Sequence, residues 1–236
     1  MKSNKEQLQK RGYIEENELE SYNHLTKNEL LKLLKSPTPS NRTIATRLLT
    51  KYKEIEIMKT LISSLIIEKK LYTKIALSES IGSYGEEASK ILIPYLGTVG
   101  INQYNSLPTK PFNKNNYPLP RDIIARTLTK IGKPALPSLI SCLHNGERRQ
   151  ILEAIDAIGF ISYYKKDTSS LDDIINLIHK YKNDNLMIWK LIRALQSFKY
   201  KKVLNLLEVF AKSNIEQLQW EAIRSLNQIH RNKNNS

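Results

Sequence analysis

A chain interrupted at Gly132-Lys133-Pro134, with an apolar helical stripe on either side, has few folds open to it. Before the break, Ile124, Leu128 and Ile131, with Ala125 beside them, recur at the helical period. After it, Leu136, Leu139, Ile140 and Leu143 fall at i, i+3, i+4 and i+7. Glycine can take the left-handed backbone that closes a helix, and Pro134 has no N–H with which to continue one. Pro134 and Pro137 then stand in an opening turn, where a missing amide hydrogen does least harm, and Asn145-Gly146 closes the second helix. Each helix has about a dozen residues, a length that is marginal alone in water, so both must be held by neighbours.

Weaker copies of the same frame recur along the chain. With Gly132 as reference, the residues four and one before it are Leu128 and Ile131. The frame fits again at Leu49, Tyr52 and Lys53; Ser78, Ile81 and Gly82; Ile155, Ile158 and Gly159; Leu195, Phe198 and Lys199; and Leu226, Ile229 and His230. Short intervals between references set a two-helix unit, and the two long intervals hold insertions of roughly 20 and roughly 10 residues, at 97–120 and 160–169. No segment alternates as a strand does, so the expected class is all-α. The phasing predicts six inner helices near 39–52, 71–82, 120–131, 147–159, 185–198 and 216–229, each preceded by an outer helix. The first outer helix starts near Thr26, carries Leu30, Leu31, Leu33 and Leu34, and stops at Ser36-Pro37-Thr38-Pro39. Residues 1–25 are expected as a polar segment or cap, 26–230 as the repeat domain and 231–236 as a disordered tail.

The run Arg-x-x-x-Ala-x-x-Leu-x-x-Ile-Gly-x-Pro-Ala-Leu-Pro-x-Leu-Ile-x-x-Leu, Arg121 to Leu143, resembles short HEAT-like repeats of the phycobilisome-lyase type. The resemblance is strongest over about 71–160 and extends in degenerate form over 26–230. It implies a right-handed α-solenoid, a superhelix of about six helix pairs, in which the helix carrying Arg-x-x-x-Ala-x-x-Leu is second in each pair and lines the concave side. The acidic residue that ordinarily closes the first helix of such a pair, as partner of the arginine, is not evident before Arg42, Arg121 or Arg148.

Aligned inner helices sort surface from core. Six before each reference stand Arg47, Ala76, Arg126, Glu153, Arg193 and Arg224. Ten before stand Thr43, Tyr72, Asp122, Arg149, Trp189 and Trp220, one helical turn away on the same side. Lys51 and Lys130 adjoin the arginine column. A concave stripe of Arg47, Arg126, Lys130, Arg149, Trp189, Arg193, Trp220 and Arg224 is therefore the candidate binding face, since guanidinium groups grip carboxylate or phosphate in two-pronged fashion and aromatic rings stack. The longer insertion, with Tyr104, Lys110, Phe112, Lys114 and Tyr117 and no acidic residue, is a second candidate. The shorter one, with Tyr163, Tyr164, Lys165 and Lys166, is expected as a loop.

The chain carries a net charge of +14, which favours polyanions or acidic proteins. A lone cysteine, Cys142, in an apolar helix is expected to be a buried structural thiol. No phosphate-binding glycine loop, nucleophile elbow or Cys-x-x-Cys occurs, so no catalytic residues are assigned. His24, His144, His179 and His230 are scattered and none precedes glutamate, unlike the iron-binding His-Glu pairs of HEAT-repeat deoxyhypusine hydroxylases. No metal or cofactor is expected. The first dozen residues lack the apolar core of a signal peptide, and the most apolar stretch, 57–67, is too short to span a bilayer, so a cytoplasmic protein without membrane contact is expected. The function these features indicate is a non-catalytic scaffold or adaptor engaging an acidic protein or peptide through a basic concave face. The alternative is a nucleic-acid-binding HEAT-like protein, with or without the base excision of the HEAT-like glycosylases that act on alkylated bases.

Overall fold

The computed structural model describes residues 4–234, with side chains through Arg231. Among these residues there is no strand, and the chain divides into two compact units, 1–92 and 93–236.

In the first unit, a short α1 (Lys5–Gln9) and a 3-10 turn (Glu16–Tyr22) precede α2 (Lys27–Leu33), α3 (Pro39–Leu49), α4 (Ile55–Ile67), α5 (Leu71–Gly82) and α6 (Glu86–Leu92). Thr26 and Glu29 form a reciprocal capping box at the start of α2. Pairs α2–α3 and α4–α5 stack through α3 against α5. Their apolar stripes meet at Leu30, Leu49, Leu61, Leu65, Leu77 and Ile81, each fully buried, and a buried leucine contributes about 1.5–3 kcal/mol. A ladder of hydroxyl contacts registers α3 on α5 at an offset of 30 residues: Thr43 to Thr73 at 3.0 Å and Thr50 to Ser80 at 2.5 Å. The polar N-terminal segment is held here too, with Ile14 buried and Tyr13 edge-on to Tyr72.

The second unit opens with a 3-10 turn (Ile93–Tyr95) and a long connection. It continues as α7 (Ile123–Ile131), α8 (Leu136–Asn145), α9 (Arg148–Lys165), α10 (Leu171–Lys180), α11 (Asn185–Leu195), α12 (Lys201–Phe210) and α13 (Glu216–Asn234). Gly132 ends α7 at φ +76°, as its place in the break required, and the 3-10 turn Lys133–Ala135 leads into α8. Helices α8 and α9, α10 and α11, α12 and α13 pair, while α7, α9, α11 and α13 contact in succession to form one row, the inner-helix face. The expected tail begins inside α13, which runs through Asn234; residues 235 and 236 lie outside the described residues.

Two expectations are corrected. Gly159, aligned with Gly132, does not end a helix: α9 continues to Lys165, so the first six residues of the shorter insertion extend the helix and only 166–169 form a turn. Two of the three arginines do have acidic partners, one repeat further on. Arg42 at the start of α3 grips Glu68, just before α5, at 2.8 and 2.9 Å. Arg148 at the start of α9 grips Asp184, the N-cap of α11, at 2.6 and 2.9 Å. The pairing ties successive repeats together rather than the two helices of one repeat.

Candidate functional site

The inner-helix face of the second unit is not an open stripe of arginines. Three successive helices each carry two charged residues three positions apart: Glu153 and Asp156 on α9, Lys190 and Arg193 on α11, Glu221 and Arg224 on α13. That spacing brings both members of a pair to one side of the helix, and the pairs interlock. Lys190 Nζ lies 2.7 Å from Glu153 Oε1 and 3.0 Å from Asp156 Oδ2, and donates to the Leu152 carbonyl at 3.0 Å. The Arg193 guanidinium meets both oxygens of Glu221 at 3.2 and 3.0 Å, while Arg224 Nε donates to the same carboxylate at 2.9 Å. Three cations thus face three carboxylates, in a region where Lys190 is wholly buried and Arg193 only 4% exposed.

Burial sets the protonation of this ladder. It pushes the Glu153 carboxyl up to about 7, with Asp156 adding to the rise against the pull of Lys190. Glu221 moves the other way: burial opposes its ionisation, but Arg193 and Arg224 outweigh it and hold the carboxyl below its ordinary value. Lys190 likewise stays charged against burial, because Asp156 and Glu153 hold its proton.

The 97–120 insertion forms a strap that goes out across this face and returns. Gln103 donates to Asp122, the N-cap of α7, at 2.7 Å. Tyr104 stands edge-on to Trp189 on α11 with ring centroids 5.0 Å apart, and the Arg121 guanidinium lies 4.4 Å above its ring. Phe112 covers Arg193 and Arg224 at 5.9 and 5.4 Å, and Asn115 accepts from Arg231 at the far end of α13. Tyr117 is then buried against Phe160 and Tyr163 on α9. Its hydroxyl sits where a side chain on Gly159 would project: a Cβ there would lie 2.7 Å from Tyr117 Cζ and 3.1 Å from Ala194 Cα. Gly159 is therefore a socket for the returning strap. Finally the Pro120 carbonyl accepts from Arg126 Nε at 2.5 Å, closing the circuit on α7.

These contacts redistribute the candidate residues. Trp189, 1% exposed, has Arg193 stacked 3.9 Å above its ring, so both are interior residues and neither belongs to a binding surface. Tyr104 and Tyr117 point into the protein as anchors of the strap, and Phe112 lies over Arg193 and Arg224 at its edge. Arg126 is half-buried and engaged with the strap, and Arg224 is mostly covered. Lys130 and Arg149 are exposed, Arg149 with Glu147 at 3.0 Å, and Trp220 is half-buried at an edge. Arg47, exposed on α3, belongs to the first unit. Lys110 and Lys114 are exposed on the strap.

Lys190, Glu153, Asp156, Glu221 and Gly159 were missed as determinants of this face. The signal was present in two runs, Ile-Leu-Glu-Ala-Ile-Asp-Ala-Ile and Leu-Met-Ile-Trp-Lys-Leu-Ile-Arg-Ala-Leu, where paired charges stand in helices that are apolar all round. Such residues are rarely buried unless paired. Cys142 is buried as expected, and burial pushes its thiol up to about 11, leaving little reactive thiolate near neutrality. No cluster of His, Cys, Asp or Glu suited to a metal ion occurs among the described residues, and none of their helices is long and apolar enough to cross a membrane.

Fold and site together define the class: a helical-repeat protein whose stacked pairs are joined, in the second unit, by an ordered strap. No family model matches the chain. No curated protein matches it. Among solved structures it is similar to two engineered proteins, at 18% and 16% identity, each over 87% of this chain and 96% and 98% of theirs, with TM-scores of 0.41 and 0.38. It is also similar to a designed armadillo repeat protein, at 15% identity over 86% of this chain and 100% of that one, with a TM-score of 0.38.

Proposed function

We propose that this is a non-catalytic helical-repeat adaptor of the short HEAT-like type, which engages an acidic segment of a protein partner through the exposed lysines of the strap. The supporting observation is the division of charge across the strap. Beneath it the buried cations are matched by carboxylates; on the strap itself Lys110 and Lys114 are exposed, with no hydrogen bond or ion pair among the described residues, in a segment that contains no Asp or Glu. Uncompensated surface charge steers and selects an oppositely charged partner, while neutralised buried charge holds structure. Tyr104, Phe112 and Tyr117 hold the strap against the helices, so an arriving segment meets an anchored platform.

The test uses a fluorescently labelled poly-glutamate peptide and anisotropy at low and physiological salt. Binding should be saturable, weaken as salt rises, and fall about tenfold in the Lys110→Glu/Lys114→Glu variant, a loss of about 1.4 kcal/mol. Equal binding by that variant would remove the strap from the interface. Failure of the peptide beside tight binding of duplex DNA with a steep salt dependence would instead establish the nucleic-acid reading.

A further inference from the structure

At the far end of the strap, α13 and residues 111–115 line an open cleft of about 340 Å³, which shares only Lys114 with the adaptor surface. Trp220, Arg224, Gln228 and Arg231 fall at successive helical turns and make a single stripe along one wall. Phe112 and Lys114 stand on the other. None of the residues lining the cleft is acidic. The two tryptophans of the chain contrast sharply: Trp189 is sealed between Tyr104 and Arg193, whereas half-buried Trp220 has no ring partner and no hydrogen bond among the described residues. Arg224 commits Nε and one terminal nitrogen to Glu221, and its other terminal nitrogen has no partner. Gln228, 3% exposed, adds an amide at the floor.

We propose that this cleft binds a nucleoside phosphate, with the base stacked on Trp220, its polar edge met by Gln228, and the phosphate held by Arg231 and Lys114. A flat ring uses the unstacked indole face, which an inorganic anion or a carboxylate side chain would leave in water. An amide offers both a donor and an acceptor to the edge of a base. The guanidinium and ammonium supply the anion contacts, and the lack of a carboxylate in the lining leaves their charge uncancelled. The volume is at the lower end of small-molecule sites, which run from about 300 to 1,000 Å³, and so suits one nucleotide unit.

The full chain is titrated with adenosine 5′-monophosphate, adenosine and inorganic phosphate by calorimetry, with tryptophan fluorescence followed in parallel. Saturable binding of the monophosphate with quenching is expected, with adenosine and phosphate each weaker by about tenfold or more. Trp220→Leu should weaken the monophosphate by about tenfold, Trp220→Phe should restore part of that loss, and Lys114→Gln should weaken the monophosphate while sparing adenosine. A short oligoadenylate distinguishes a free nucleotide from a strand end, and saturable binding of either one supports the site. Absence of saturable binding by the monophosphate and the oligomer overturns the proposal, as does phosphate alone binding as tightly, or indifference to both Trp220→Leu and Lys114→Gln. Because Lys110 lies outside the cleft, loss of poly-glutamate binding in Lys110→Glu would stand whatever happens here.

Discussion

Replacing Gly159 by alanine separates the effect of helix propensity from that of the socket. In the middle of an ordinary helix, glycine to alanine stabilises by about 0.5–1 kcal/mol, because glycine loses the most backbone freedom on folding. Here α9 is fully helical through Gly159, so that gain is available. The added methyl group, however, would fall on the Tyr117 hydroxyl, 2.7 Å from Cζ and 3.1 Å from the Ala194 backbone of α11. Tyr117 cannot swing aside freely, since Phe160 and Tyr163 hold its ring. Overpacking of this kind costs about 1–3 kcal/mol, so Gly159→Ala should be destabilising by about 1–2 kcal/mol net. For a unit of this size that is a fall in Tm of about 2–8 °C. The sign should reverse without the tyrosine: in a Tyr117→Ala background, itself destabilised by about 3–5 kcal/mol, the same substitution should be neutral or stabilising. Urea unfolding of the four proteins measures the coupling, with the slope required to stay constant across the set. Stabilisation of the otherwise native chain by Gly159→Ala would refute the socket, and with it the anchoring of the strap.

Two further outcomes concern the charges beneath the strap. Glu221→Gln leaves two buried guanidinium groups without their shared carboxylate and should cost about 3–5 kcal/mol in urea unfolding; a loss below about 1 kcal/mol would show that solvent already compensates them. Glu153, at about 7 in the fold against an ordinary 4.5, binds its proton more tightly folded than unfolded. Its contribution to stability is therefore whole below pH 4.5 and lost as pH rises through 7, by about 3 kcal/mol at most. Glu153→Gln should remove that decline, so its stability relative to the native chain should improve between pH 4.5 and pH 7.5; an identical difference at both ends would show that Glu153 does not titrate in this interval.

Helix order and phase were legible because they rest on local chemistry. The stripe around Leu128 and Ile131, the stop at Gly132 and the prolines after it recur closely enough to place six inner helices within a few residues of α3, α5, α7, α9, α11 and α13. What the pattern could not supply was the path of the strap. Column alignment put Arg193 and Trp189 on a surface because it treats each repeat as bare, and the segment that covers them is brought in by Gln103, Tyr104, Phe112 and Tyr117, none of which repeats. Gly159 was misread for a related reason. A glycine that ends a helix and one that admits a ring from elsewhere look alike in one dimension, and only the partner 42 positions earlier separates them. The arginine partners Glu68 and Asp184 were sought within a repeat and stand in the next.

An array in which each pair touches only its neighbours can fray from its end, losing one pair while the rest stays folded. The strap removes that freedom from the second unit. Asn115 bonds Arg231, 116 positions away, and Phe112 covers Arg224, so α13 cannot detach without exposing groups set in place before α7 begins. Contacts this distant in sequence carry loop-closure entropy that must be met before they form, which slows folding and couples the first and last helices of the unit in one transition. A modular chain has in this way been given the cooperativity of a globule.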